Sequence, residues 1–313
     1  MKPRILVTLQ LAQAEQEYML SRIPEAEVRF VPSERAAEPD LSWATVVFGN
    51  VAPAERLLPH RELRWLHTPN VGLDDYQDLL ERCPNLRITR ASGVVDDAVA
   101  EHAVAMLLYL TRGLDVLARA QQQHAWSRQA FMARGVTVVA GKSAHVLGYG
   151  AIARCLVEKL LGLGMRVCVY RRQACGKDPR VERFHAFESL PREAANADVL
   201  LCLLPDQPQT RHLVSADVLR AMKRSAYVVN VGRGSVVDES ALAEALSRGR
   251  LAGTALDVFD TEPLSATSSL WDLSNVLISP HVAGRFDMEV RRHVEQFVRL
   301  ARQFAGETEG SRA

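Results

Sequence analysis

The chain is poor in the features that mark membrane, secreted and metal-holding proteins. Its longest apolar runs, such as Ala103 to Leu110, fall far short of the roughly 20 residues a spanning helix needs, so a transmembrane helix is excluded. Five cysteines occur in 313 residues: Cys83, Cys155, Cys168, Cys175 and Cys202. They are odd in number, lie mostly in apolar runs and form no C-x-x-C pair, which argues for reduced core thiols and against disulfides or zinc ligation. The histidines, including His67, His124, His145 and His185, lack metal spacings such as H-E-x-x-H, and no metal is assigned. Charge of one sign is also lacking: 38 basic against 37 acidic side chains leave +1, too little to recruit nucleic acid or an anionic membrane. The basic start Met1-Lys2-Pro3-Arg4 leads into an apolar stretch that Thr8 and Gln10 interrupt, which reads as a first core strand rather than a signal peptide. A soluble cytoplasmic protein is expected.

What is present fits a globular chain of about two domains, at roughly 150 residues each. Hydrophobic residues make up 48% and charged residues 24%, ordinary values for such a protein. Short β-branched runs (Arg4 to Thr8, Glu27 to Val31, Thr45 to Phe48, Leu63 to Thr68, Leu86 to Thr89) alternate with stretches long enough for helices, which predicts a mainly parallel α/β sheet. From Asp97 to Arg119, Val99, Ala103, Met106, Leu107, Leu110, Leu114 and Leu117 recur at helical spacing and predict one long helix. A second βα series follows with strands at Ala144 to Leu147, Arg166 to Tyr170, Val199 to Leu204, Tyr227 to Val231, Leu251 to Val258 and Val276 to Ser279, suiting a doubly wound sheet. An amphipathic helix from Phe286 to Phe304 closes the pattern, and the polar tail Gly306 to Ala313 is expected to fray. No fixed-period repeat or low-complexity linker is visible; the boundary near residue 95 is a helix start.

The sharpest motif is Gly148-Tyr149-Gly150-Ala151-Ile152-Ala153, between a strand and the predicted helix Ile152 to Leu161. Its two glycines permit a tight turn and close backbone approach to a pyrophosphate, its small sixth residue lets helix and strand pack, and the helix N–H groups bind the anion. A P-loop is dismissed: Gly135 lies one residue too far from Gly141-Lys142-Ser143, and Val136 to Ala140 reads as strand. About 20 residues past the glycine turn, where an NAD-binding fold places an acid, Tyr170 is followed by Arg171 and Arg172. Two guanidinium groups can grip a 2′-phosphate, which favours NADP(H) over NAD(H). Arg233, Glu262 and His281 each follow a predicted strand, so in a parallel sheet they share one edge with the glycine turn. Arginine can polarise a carbonyl and hold a carboxylate, imidazole can move a proton, and a carboxylate can orient the ring. Glu101-His102 reads instead as a buried helix-packing pair.

These residues resemble the D-isomer-specific 2-hydroxyacid dehydrogenase family. The likeness rests on His145 to Ala153, Val229-Asn230-Val231-Gly232-Arg233-Gly234-Ser235-Val236-Val237-Asp238-Glu239, Ala255 to Leu264, Ile278-Ser279-Pro280-His281-Val282-Ala283-Gly284 and Val99-Ala100-Glu101-His102. It covers most of residues 70 to 300; the first 65 match only in pattern. The resemblance implies two doubly wound domains. A Rossmann cofactor domain, residues 96–285, is inserted into a flavodoxin-like substrate domain made of 1–95 and 286–313. It implies Arg233, Glu262 and His281 as the catalytic triad and Asp257 at the nicotinamide end of the cofactor. Leu204, Pro205 and Val231 join Gly148, Tyr149, Gly150, Ala151, Ile152, Arg171 and Arg172 as cofactor-binding positions. Asn70-Val71-Gly72 resembles the family's substrate-carboxylate loop, whose backbone N–H groups bind the anion. A homodimer through the helix after Asp97 is also implied. Ala153 departs from the usual third glycine, and Arg171 stands where NAD-preferring members have an acid, as in NADPH-linked glyoxylate and hydroxypyruvate reductases. The expected activity is NADP(H)-preferring interconversion of a small 2-ketoacid and its D-2-hydroxyacid. The rivals are an NAD-linked phosphoglycerate or D-lactate dehydrogenase and a non-catalytic corepressor-like sensor of NAD(P)H.

Overall fold

A computed structural model describes residues 2–176 and 178–310, with side chains to residue 304. The chain forms two compact units, one from the residues up to Val95 with those from Phe286 onward, the other Asp96–Arg285.

In the first unit, β1 (Arg4–Val7), β2 (Glu27–Phe30), β3 (Val46–Phe48), β4 (Trp65–Thr68) and β5 (Arg87–Arg90) form a parallel sheet in the order β2-β1-β3-β4-β5. This is the flavodoxin-like order. Side chains alternate between two buried faces, as a strand's two-residue period requires. Ile5, Val7, Val46, Phe48 and Trp65 lie on one face, under Met19 of the helix Gln13–Arg22, Ile23 just past its end, and Val294, Phe297, Val298 and Ala301 of the helix Glu289–Gly310. Leu6, Val47 and Leu66 lie on the other, with Leu41, Leu57 and Leu79. Phe297 stacks on Phe48 at 4.3 Å between centroids and on Trp65 at 5.2 Å. Burial of such a ring is worth about 1.5–3 kcal/mol, so the returning helix is part of this core.

In the second unit, β6 (Ser143–Leu147), β7 (Arg166–Arg171), β8 (Arg183–Ala186), β9 (Val199–Cys202), β10 (Tyr227–Asn230), β11 (Gly253–Leu256) and β12 (Val276–Ile278) form a second sheet. All pairings are parallel, in the order β12-β11-β10-β9-β6-β7-β8. The order reverses between β6 and β9, and ligands of doubly wound sheets bind at the carboxyl ends of strands beside such a reversal.

Local departures from the sequence reading have local causes. β8 is a seventh strand; its Arg-Phe-His-Ala sequence has no apolar run because an edge strand buries little. The long helix is two, Asp96–Thr111 and Leu114–Gln122, because Gly113 between them takes φ +64, where a β-carbon would lie 2.8 Å from Val136 Cγ1. Val136 to Ala140 is not a strand. It finds its partners elsewhere, Thr137 N–H donating to Thr111 O at 2.9 Å, while Val138 is exposed. Cys168 and Cys202 are buried core thiols, but Cys83 and Cys155 are half-buried and Cys175 is exposed; all five are free. The last helix runs to Gly310, and residues 311–313 lie outside the described residues. No helix among the described residues is long and apolar enough to cross a membrane, and no group of His, Cys, Asp and Glu among them could hold a metal ion.

Two buried histidines make the fold acid-sensitive. Burial, and then the neighbouring His293, lowers His67 on β4 to about 4; burial, and then His185, lowers His145 on β6 to about 4. An unfolded histidine titrates near 6.5, so between these values the unfolded chain takes up protons that the folded one refuses. The stability from these sites is present above pH 6.5 and is lost as pH falls towards 4, at about 1.4 kcal/mol per pH unit for each histidine. Urea unfolding at pH 6.5, 5.5 and 4.5 should show this slope, and His145→Asn should reduce it by about one such increment.

Candidate active site

In the second unit the glycine turn lies between β6 and the helix Ala151–Gly162. Gly148 takes φ +102, and a β-carbon there would sit 3.2 Å from Leu204 Cδ2 and 3.3 Å from Leu203 O, so the turn can lie against the end of β9 only as glycine. Gly150 caps the helix without a side chain, and a β-carbon built on it meets nothing within 4 Å. Open space therefore lies beside Gly150 at the start of the helix, where a pyrophosphate would approach the helix N–H groups. Ala153 is 1% exposed, small enough for helix and strand to close up. Ala151 and Ile152 are half-buried on the first turn; Leu204 and Val231 are buried at the ends of β9 and β10, and Pro205 is exposed. These residues fit a dinucleotide.

At the end of β7, Arg171 is half-buried and donates through Nη1 to Cys175 O at 2.8 Å, while Arg172 is exposed. The loop beyond is tied to the glycine turn: Tyr149 donates its hydroxyl to Asp178, which Arg180 grips at 3.0 and 2.7 Å. Hydrogen bonds from Arg180 and Tyr149 hold the Asp178 carboxyl well below the usual carboxylate range.

The turns after β10 and β11 interlock. Asn230, 1% exposed, donates through Nδ2 to Arg233 O at 2.9 Å and accepts from Gly232 N–H at 3.1 Å, so one amide clamps both sides of the Arg233 turn. Arg233 Nη1 donates to Gly232 O at 2.9 Å. A β-carbon on Gly232 would lie 2.8 Å from Leu204 N, and one on Gly234 only 1.8 Å from the Phe259 carbonyl carbon. The two glycines thus let the Arg233 turn touch the turns after β9 and β11. Glu239 holds the same region, accepting from Asp260 N–H at 2.5 Å, and its burial raises its carboxyl pKa.

Glu262 divides its carboxylate: Oε1 accepts from Phe259 N–H at 3.0 Å and Oε2 lies 2.7 Å from His281 Nδ1. With the carboxylate as acceptor, Nδ1 carries a hydrogen and Nε2 is left to exchange a proton. The His281 side chain is 52% exposed and that of Glu262 36%, so both are reachable. Arg233, Glu262 and His281 therefore stand on neighbouring turns of one sheet edge.

Asp257 is 1% exposed, and its carboxylate takes donors from the His281 loop: Val282 N–H at 3.0 Å, Ala283 N–H at 2.9 Å and the Ser279 hydroxyl. Sequence reasoning placed it at the cofactor and missed this bracing. The reading of Glu101-His102 as a buried pair is corrected: Glu101 is exposed and bonded to Lys159 at 3.2 Å, whereas His102 Nε2 lies 3.1 Å from Ser279 Oγ. A helical stripe shows which residues face inward, and His102 sits at the margin of that stripe.

In the first unit, Asn70-Val71-Gly72 follows β4. The Asn70 N–H donates to Thr68 Oγ1 at 3.1 Å, its side chain accepts from Asn50 Nδ2 at 3.1 Å, and the Asn50 carbonyl oxygen accepts from Thr68 at 2.7 Å and Tyr76 at 3.0 Å. Arg90 donates to Val71 O at 3.1 Å. Asn50 thus organises the loop; nothing near it in sequence marked it.

Residues 104–283 match the family described as D-isomer specific 2-hydroxyacid dehydrogenase, NAD binding domain. A glyoxylate reductase of Thermococcus litoralis is 30% identical over 316 residues, covering 95% of this chain and 92% of that one. A D-isomer specific 2-hydroxyacid dehydrogenase from Xanthobacter autotrophicus, solved with NADPH and MES, superposes with a TM-score of 0.82 at 26% identity, covering 98% of this chain and 96% of that one. An NADPH-dependent glyoxylate/hydroxypyruvate reductase from Sinorhizobium meliloti, solved with NADP and malonate, gives 0.73 at 28% identity, with 95% and 92% covered.

The interlock of the turns is open to a direct test. Gly234→Ala forces the Phe259 carbonyl away, an overpacking that costs about 1–3 kcal/mol; at about 2–4 °C per kcal/mol for a unit this size, thermal melting should fall by roughly 2–12 °C.

Proposed function

Because the chain belongs to the D-isomer-specific 2-hydroxyacid dehydrogenase family and is a nicotinamide-dependent oxidoreductase, we propose that it reduces a small 2-ketoacid of the glyoxylate or hydroxypyruvate type with NADPH preferred over NADH. In reverse it oxidises the D-2-hydroxyacid. The observation that carries this reading is the 2.7 Å bond between Glu262 and His281 Nδ1, the Glu262 turn being packed against that of Arg233. The names of the similar reductases supply the substrate class.

The reduced cofactor, when bound, supplies a hydride to the ketoacid carbonyl carbon. Gly148, Tyr149, Gly150, Ala151 and Ile152 would hold the dinucleotide at its pyrophosphate, with Leu204, Pro205, Val231 and Asp257 as the further cofactor positions. His281 delivers a proton from Nε2 to the carbonyl oxygen while Glu262 fixes the ring from Nδ1. Arg233, its fork oriented by the Gly232 carbonyl, polarises the carbonyl and stabilises the developing alkoxide. In the oxidative direction His281 accepts the hydroxyl proton. Residues 96–285 form the dinucleotide-binding domain, and 1–95 with 286–313 the substrate domain. There the Asn70-Val71-Gly72 loop takes the substrate carboxylate. Since the Asn70 N–H is spent on Thr68, that anion falls to Val71 and Gly72. Arg171 and Arg172 favour the 2′-phosphate of NADP(H). The partner is a second copy of the chain, held through the region beginning with the helix Asp96–Thr111; exposed Leu114, Leu117 and Trp126 beyond it support this.

A panel of ketoacids assayed with NADPH and NADH tests the reading: glyoxylate and hydroxypyruvate should lead with NADPH, and tight cofactor binding without turnover would mark a sensor instead. His281→Ala should lower kcat by roughly 10²–10⁴ while NADPH still binds; equal turnover would remove His281 from the reaction. Arg171→Asp should move the ratio of NADPH to NADH efficiency towards NADH, and an unmoved ratio would reject Arg171 as a 2′-phosphate ligand.

A further inference from the structure

His281 sits at φ +55, a left-handed conformation uncommon for residues with a β-carbon. Asp257 braces this turn through both its side chain and its backbone. Its Oδ1 accepts from Val282 N–H at 3.0 Å and its Oδ2 from Ala283 N–H at 2.9 Å, while the Asp257 carbonyl accepts from His281 N–H at 2.8 Å. The backbone of His281 is therefore held by Asp257, as its ring is held by Glu262.

A carboxylate 1% exposed keeps such a role only while its charge is compensated. Two backbone N–H groups and the Ser279 hydroxyl supply part of that. Because Ser279 gives its proton to Asp257, its oxygen is an acceptor towards His102 Nε2, 3.1 Å away; Nε2 therefore carries a hydrogen. The same nitrogen lies 3.7 Å from Asp257 Oδ1. The chain of donors runs from His102 through Ser279 to Asp257 and ends at the turn bearing His281.

We propose that His102 is a positioning residue for the reaction: it acts through Ser279 and Asp257 to hold His281 in its left-handed turn. The inference rests on the reading of His281 as the proton donor. An apolar side chain at this place would fill the space on the helix but would leave Ser279 without its donor and Asp257 without the nearby imidazole. The carboxylate would then turn towards water and slacken its grip on Val282 and Ala283. Displacing a reacting group by about 1 Å can cost about 10²-fold in rate.

The test compares the wild-type enzyme with His102→Leu, which keeps bulk, and His102→Gln, which keeps an N–H donor at a similar reach. His102→Leu should lower kcat for ketoacid reduction about 10- to 100-fold. His102→Gln should restore most of the loss at equal melting temperature. In the ligand-free protein the ring resonances of His281, assigned by their absence in His281→Ala, should move in His102→Leu and return in His102→Gln. Wild-type kcat in His102→Leu, or no rescue by His102→Gln, overturns the proposal and leaves His102 a packing residue. If His102→Leu fails to fold, Ser279→Ala takes its place: it cuts the same chain of donors, and an unchanged kcat overturns the proposal. If the wild-type protein reduces no ketoacid, the assigned reaction falls and the His281 resonances alone decide; unmoved resonances in His102→Leu overturn the positioning role.

Discussion

The chemistry assigned to this chain depends on how closely the turns at the carboxyl edge of the seven-stranded sheet approach one another. Parallel register brings the ends of β6, β9, β10 and β11 to one level, but backbones with side chains between them would still be held apart. Gly232 against Leu204 and Gly234 against Phe259 remove that spacing. Asn230 then locks the Arg233 turn from beneath with two hydrogen bonds. The arginine and the Glu262–His281 pair thereby share one rigid surface.

Two carboxylates serve one imidazole in different ways because their surroundings differ. Glu262 is reachable by water and holds the ring at Nδ1, leaving one oxygen on a backbone N–H so that it cannot swing away. Asp257 is sealed in and holds the backbone of the same loop. The histidines divide along the same line. His67 and His145, buried without a carboxylate bonded to the ring, are driven to about 4 and act as uncharged core residues, whereas His281 stands open beside an acid.

Much of this was legible in the chain because it rests on short-range rules. The βα alternation, the strand–Gly148–helix turn and the strand-end positions of Arg233, Glu262 and His281 follow from periodicity and from the parallel sheet it implies. Edge strand β8 left no trace, since one-sided pairing needs no apolar run. The break at Gly113 was hidden because the helical stripe continues across it; only the positive φ and the close approach of Val136 show it. Asn50 and His102 were missed as functional residues because a polar residue in a loop or on a helix margin acquires its role from groups 18 to 177 positions away.

The sequence by itself determined the α/β architecture, the dinucleotide turn and the identity of the arginine, carboxylate and imidazole, because each is written in neighbouring residues whose spacing sets local geometry. Tertiary structure alone decided that Asp257 braces the backbone of the His281 turn and that His102 reaches Ser279. Those outcomes depend on distances between turns far apart in the chain, set when glycines without β-carbons let backbones meet and when burial removes water as the competing partner.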